Sequence, residues 1–207
     1  MSSVHGSSDT AGRFSDQLER WLESDERKTL GDLERVFGEK SFATAILLLM
    51  FVPALPLPTG GVTHLFEAIT IVLAAEMVLG RRTIWLPERW RRRELGAVVT
   101  GKAIPVVIRW VRRVERFSRP RGARLLGNVW MFRLLGILFI ALAVAAALAP
   151  PFSGLDTLPA LGAIAVALAI VLDDVALLPV GLVLGAAGVI LIVTVGAAIV
   201  HVLRNLI

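Results

Sequence analysis

The lysines and arginines of this chain are confined to bands, and the gaps between the bands restrict the fold more than any motif does. Of 22 basic residues, six lie between Arg13 and Lys40 and fourteen between Arg81 and Arg124, leaving only Arg133 and Arg204. Ser41 to Gly80 has none, and neither has Leu134 to Leu203. With 56% hydrophobic residues, 19% charged residues and a mean hydropathy of +0.73, the chain is too apolar for a soluble domain and points to a small polytopic membrane protein. Both basic bands belong in the cytoplasm by the positive-inside tendency, so the first apolar block must enter the membrane and come back. Cysteine is absent, which removes disulfides and thiolate metal sites. A cleaved signal is not expected, because the charged amino-terminal region holds no apolar core of secretory length.

Each apolar block is interrupted. A spanning helix needs about twenty apolar residues, but Ser41 to Val52 supplies fewer before Pro53, Pro56 and Pro58 halt regular hydrogen bonding. After "TGG", with Gly60 and Gly61, a second run from Val62 to Leu79 returns to Arg81. The second block repeats this grammar: Leu134 to Ala149, a break at Pro150 and Pro151 within "PPFSGLD", then Leu155 to Leu172, in whose opening Pro159 is expected as a further break, running to Asp173 and Asp174. Placing Gly61 over Gly154 aligns "GVTHLFEAITIVLAAEMVLG" with "GLDTLPALGAIAVALAIVLD" without a gap, as an internal repeat would. Opposed repeats are the preferred arrangement, although the charge pattern also permits parallel ones.

The segments after the hairpins differ. In the insert, Val107, Trp110, Val111, Val114 and Phe117 fall on one helical face and Arg109, Arg112, Arg113 and Arg116 on the other. Such a helix is expected to lie on the membrane surface against anionic lipid, and its position between membrane blocks argues against nucleic acid as the partner. Val175 to Leu203 is long enough for a complete span despite Pro179, and its "GLVLG", Gly181 to Gly185, has the spacing of close helix packing. In the amino-terminal arm, Phe14, Leu18, Trp21 and Leu22 mark one amphipathic helix; Thr29, Asp32 and Gly38 cap and end a second. The expected fold is all-α and polytopic: a disordered tail (1–12), a cytoplasmic helical arm (13–40), a first broken hairpin (41–80), a basic insert (81–128), a second broken hairpin (129–174) and a carboxyl-terminal transmembrane helix (175–207). Both hairpins are expected to be re-entrant.

The order "TLGDLERVFGEKSF", "PALPLPTGG", "LGRRTIWLPERWRRREL" and "APPFSGLDTLPAL" resembles the exopolysaccharide-synthesis membrane proteins called ExoD, from about Thr29 to the carboxyl terminus. The chain departs from the family pattern at "FEAIT" and at Asp173 and Asp174, where the family tends to show an Asp-Gly pair. The resemblance implies a multi-pass protein of the bacterial inner membrane, linked to exopolysaccharide production, with no biochemical activity attached.

Broken backbone at membrane depth survives only where protein or a wet cavity shields it. Two breaks shield each other best by meeting, and the helices restarting near Gly61 and Gly154 would then aim their positive ends at a common centre. His64 and Glu67, three residues apart, share a helix face after the first break, and Asp156 stands after the second. These three, with Gly60, Gly61 and Gly154, are the candidates for binding a substrate or an ion. A cap for Asp156 and a buried fastening pair for His64 and Glu67 are the structural alternatives. Glu76, half a turn out of phase with Glu67, is expected to reach the interface instead. No HExxH, G-x-S-x-G or phosphate-cradling loop is present, so no enzyme, metal or cofactor is expected. Two classes of function stay open: a small transporter or flippase of an anionic or lipid-linked intermediate, and a non-transporting scaffold of a glycan-synthesis complex. Beyond lipid, the partners that fit are a second copy of the chain or that complex.

Overall fold

The computed structural model describes residues 13–24, 28–55, 62–85, 104–150 and 153–206. Among these residues there are nine α-helices and no strand: α1 (Phe14–Glu23), α2 (Leu30–Phe37), α3 (Ser41–Phe51), α4 (Val62–Val78), α5 (Ile104–Glu115), α6 (Ala123–Leu126), α7 (Val129–Leu148), α8 (Thr157–Val171) and α9 (Leu177–Leu206). The proposed tail, Pro56, Pro58, Gly60, Gly61, Pro151 and part of the insert lie outside the described residues.

Helices α3, α4, α7 and α8 form a ring in which each packs on the next, α3 on α4, α4 on α7, α7 on α8 and α8 back on α3. All eleven residues of α3 are buried, because α2 and α5 cover the side of it that faces away from the ring. Helix α8 is buried along most of its length by the ring and by α9 outside it. Helices α4 and α7 instead present Leu65, Val72, Leu79, Leu134, Ile137, Val144 and Leu148 to the exterior. The glycines of "GLVLG" serve internal packing: a Cβ on Gly162 would stand 2.8 Å from Gly185 N, and one on Gly181 would stand 2.9 Å from Gly162 O.

Polar contacts place the start of each hairpin beside the end of the other. Lys40, just before α3, donates to Val171 O at the end of α8 (2.8 Å) and to the Asp173 carboxylate (2.7 Å). Gly80, after α4, lies against the Arg133 guanidinium near the start of α7. The two hairpins therefore open in the same direction, and their breaks share the opposite end of the ring. This corrects the preference for opposed repeats: each hairpin leaves from a charged segment and returns to one, so both are tied to the same charged layer. The gapless alignment carries Gly80 onto Asp173, and both residues have positive φ (77° and 54°). Each ends its helix with the same pair of bonds, Arg81 N to Glu76 O and Gly80 N to Met77 O in α4, Asp174 N to Ala169 O and Asp173 N to Ile170 O in α8.

Helix α7 begins at Val129, capped by Asn128, and runs through Arg133, whose long side chain turns to Gly80 and over the Trp130 ring. Two further expectations change. Pro159 is no break, since it occupies the first turn of α8, where its missing N–H has no partner to lose. Pro53 does end α3, and Ala149 is extended before Pro150. On α5 the buried face is Ile104, Val107, Ile108 and Val111, packed on α1 and α3, while Trp110 and Phe117 are exposed.

The charged layer is built at the helix bases. Thr29 and Asp32 form a reciprocal capping box, and Phe37 packs on Phe14 and Trp21. Ser15 N and Oγ donate to the Glu115 carboxylate, and Arg112 pairs with Glu19 (2.7 Å) and Asp16 (3.6 Å), so the acidic arm rests on the insert. Asp174 joins this layer to the ring, accepting from Ser118 Oγ, Arg119 N and Ala176 N. Burial works against charging this carboxylate, but those three bonds and nearby Arg121 prevail and hold it below the usual carboxylate range. A depressed folded-state pKa contributes stability that is complete above the unfolded value, about 3.9, and is lost as the pH falls through the folded one. Asp174→Asn is expected to lower the unfolding temperature in detergent at neutral pH, and the gap from the wild type to narrow as the pH drops below about 4.

Candidate functional site

Thr63, Glu67, Thr70, Ala74 and Met77 of α4 recur at steps of four and three residues and are all buried. The lower half of this stripe is apolar and packs closely on α7: a Cβ on Gly136 would come within 2.9 Å of Ala74 O and 3.0 Å of the Met77 side chain. The upper half, toward the hairpin break, is polar. Continuing the antiparallel register set by Gly80 with Arg133 and Ala74 with Gly136 brings the alanine-rich run 141–149 beside Thr63 to Thr70.

Glu67 is the centre of that half. Its side chain has no exposed surface, and its Oε2 bonds His64 Nδ1 at 2.8 Å. Its other oxygen, Oε1, is buried without a hydrogen-bond partner among the described residues, as is Thr70 Oγ1 one turn further along. Such groups are uncommon in folded proteins, and each unpaired one costs about 1–3 kcal/mol. Trp21 Nε1, Ser41 Oγ and Arg133 Nε, the other buried atoms in this state, belong to the charged layer or the helix bases. The His64 side chain is 44% exposed, so the pair links an accessible imidazole to a buried carboxylate.

Asp156 comes to the same end of the ring. It precedes α8 but makes no capping bond through its side chain, and its charge acts on Glu67 through space. The structure therefore places Asp156 at the same end of the ring as the bonded His64–Glu67 pair, and α8 starts without the aspartate cap. Gly154, at φ 68° with nothing near its Cβ position, turns the chain into α8. Glu76 is buried at the base, accepting from Trp85 N at 2.7 Å, and takes no part. Thr63 and Thr70 are the members that residue-by-residue inspection missed; their three- and four-residue offsets from Glu67 are the signal that finds them. No cluster of three metal-ligating side chains occurs among the described residues.

Of the insert arginines, Arg112 is committed to the arm, while Arg109, Arg113 and Arg116 are exposed beside Trp110 and Phe117. Trp85 and Trp130, near the bases of α4 and α7, are also exposed, with Arg81 and Arg133 over their rings at 5.1 and 5.5 Å. A cleft of about 410 Å³ between α1 and the end of α8 includes Arg13, Lys40 and Glu115, but Lys40 and Glu115 are already paired.

Within this all-helical fold, α7 and residues 177–198 of α9 are long and apolar enough to cross a membrane, by length and composition. The family model described as exopolysaccharide synthesis, ExoD, matches residues 14–194, and the chain belongs to that family. An uncharacterized protein of Synechocystis sp. is 27% identical over 201 residues, spanning 92% of this chain and 87% of its own length. No solved structure matches the chain.

If His64 and Glu67 act as a coupled pair, His64→Leu alone leaves both carboxylate oxygens unpaired and is expected to destabilise by about 1–3 kcal/mol. Glu67→Leu should then rescue part of the loss, giving a coupling energy of at least about 0.5 kcal/mol in a double-mutant cycle of thermal unfolding. Additive effects would show the pair to be uncoupled.

Proposed function

We propose that this member of the exopolysaccharide-synthesis family is a small transporter or flippase of the bacterial inner membrane, moving an anionic or lipid-linked intermediate along the interior of the α3–α4–α7–α8 ring. The observation that carries this reading is the buried Glu67, with one oxygen unpartnered, at the end of the ring where both hairpins break. A carboxylate in that place is destabilising for a purely structural bundle, and ionisable groups at membrane depth mark ion and substrate paths. The exposed pairs Arg81 with Trp85 and Arg133 with Trp130 suit the headgroup level, and the positive-inside tendency supports reading the charged layer as cytoplasmic with the breaks toward the far face. On that placement α7, about 30 Å long, matches the hydrocarbon thickness, whereas α3, about 16 Å, is re-entrant in length.

The charge of the centre refines the reading. It holds two carboxylates and one histidine, and α3, α4 and α8 contain no lysine or arginine. The centre therefore suits a proton, and the anionic part of the cargo falls to the cationic layer, where Arg109, Arg113 and Arg116 face anionic lipid. No catalysis is assigned to the chain.

The second reading, an accessory that organises a glycan-synthesis complex, is favoured by one observation: the arm and insert bind each other through Arg112, Asp16, Glu19 and Glu115 to build a continuous platform. Reconstitution separates the two. Vesicles holding only this protein are expected to scramble or take up polyprenyl-phosphate lipid faster under a pH gradient, and Glu67→Gln or Asp156→Asn to reduce the rate at least about tenfold. No movement of any such lipid, with polymer output unaffected by those two substitutions but abolished by loss of the insert arginines, would establish the accessory reading.

A further inference from the structure

Glu67 has two differently placed oxygens. Oε2 meets His64, whose side chain is 44% exposed, and Oε1 is buried without a partner, as is Thr70 Oγ1 three residues along the same stripe, the two atoms not being bonded to each other. Below Thr70 that stripe is closed by Leu73, Ala74 and Met77, all without exposed surface, for the rest of the helix. The titratable groups that act on Glu67 are His64 and Asp156, both at the break end. Helices α3 and α8 contribute none, and the only charged residue of α7, Arg133, is at the base.

We propose that Glu67 is a proton-binding site served through His64 from one face only, the face of the hairpin breaks, with Thr70 as its inner partner. A proton taken up at His64 Nε2 makes the ring cationic. The ring then gives its Nδ1 proton to Glu67 Oε2, leaving a neutral imidazole protonated at Nε2 and a neutral carboxylic acid. Half a turn of the carboxyl group moves the new O–H from His64 to the inner side of the stripe, and a change of the Glu67 or Thr70 rotamer then brings it to the Thr70 hydroxyl, which has no other partner. Release reverses these steps, and no other reactant is consumed. The apolar closure below Thr70 prevents exchange with the charged layer in this conformation, so delivery of the proton to that side requires the ring to rearrange.

This inference rests on the transport reading for its purpose but not for its test. The protein is placed in vesicles in a single orientation, and the infrared band of protonated carboxyl groups is followed after pH jumps on each side separately. A band that follows the pH at the break face, is absent in Glu67→Gln, shifts in Thr70→Val and appears at least about tenfold more slowly in His64→Phe is expected. If Glu67→Gln does not fold, the Thr70→Val shift assigns the band without it. A band that follows the pH at the charged-layer face, or one insensitive to all three substitutions, would overturn the proposal. A band behaving as expected in a protein that moves no lipid would keep the proton site and end the transport reading.

Discussion

A helix that stops inside apolar surroundings leaves amide and carbonyl groups with nothing to bond, and the rest of this structure is arranged around the two places where that happens. Water is the ordinary remedy, and the apolar outer faces of α4 and α7 make it scarce. The described ends of both breaks lie at one end of the four-helix ring. The alternation of basic and apolar segments permits this outcome, and long-range contacts select it. Each hairpin begins and ends in a charged segment, and the charged segments join through Lys40 with Asp173, Gly80 beside Arg133, and Asp174 with Ser118 and Arg119.

The ring is asymmetric in a way that serves its centre. Helices α3 and α8 are buried on nearly every side, and α4 and α7 turn one face outward. Only α4 carries ionisable groups along the wall at the break end, and alanine dominates the run of α7 beside it. The result is a buried polar strip of α4 beside the small side chains of α7. Burying a carboxylate costs several kcal/mol unless its charge is balanced, and His64 balances only half of it.

Much of this was legible in the residues. The break at Pro53, the restart at Val62, the capping box at Thr29 and Asp32 and the pairing of His64 with Glu67 follow from local rules about proline, caps and helical spacing. The family was legible from the proline-glycine cluster and the tryptophan-proline motif. What local rules could not supply was anything decided by partners distant in sequence. The direction of the repeats depends on contacts such as Lys40 with Asp173. Pro159 looks like a breaker because its place in a first turn depends on where α8 starts. The apolar face assigned to α5 grouped Trp110 and Phe117 with Val107 and Val111, but the side of the helix that is buried is set by α1 and α3, which select Ile104 and Ile108 with those valines instead. Thr63 and Thr70 are ordinary residues until the burial of their stripe is known.

The chain has no cysteine, so engineered pairs test the central claim directly. With His64→Cys and Asp156→Cys in one chain, a short bifunctional thiol reagent applied in native membranes should link the two hairpins within the monomer, and His64→Cys with Asp173→Cys should remain unlinked. Efficient linking of the second pair and none of the first would place the breaks at opposite ends, and the shared centre would not exist.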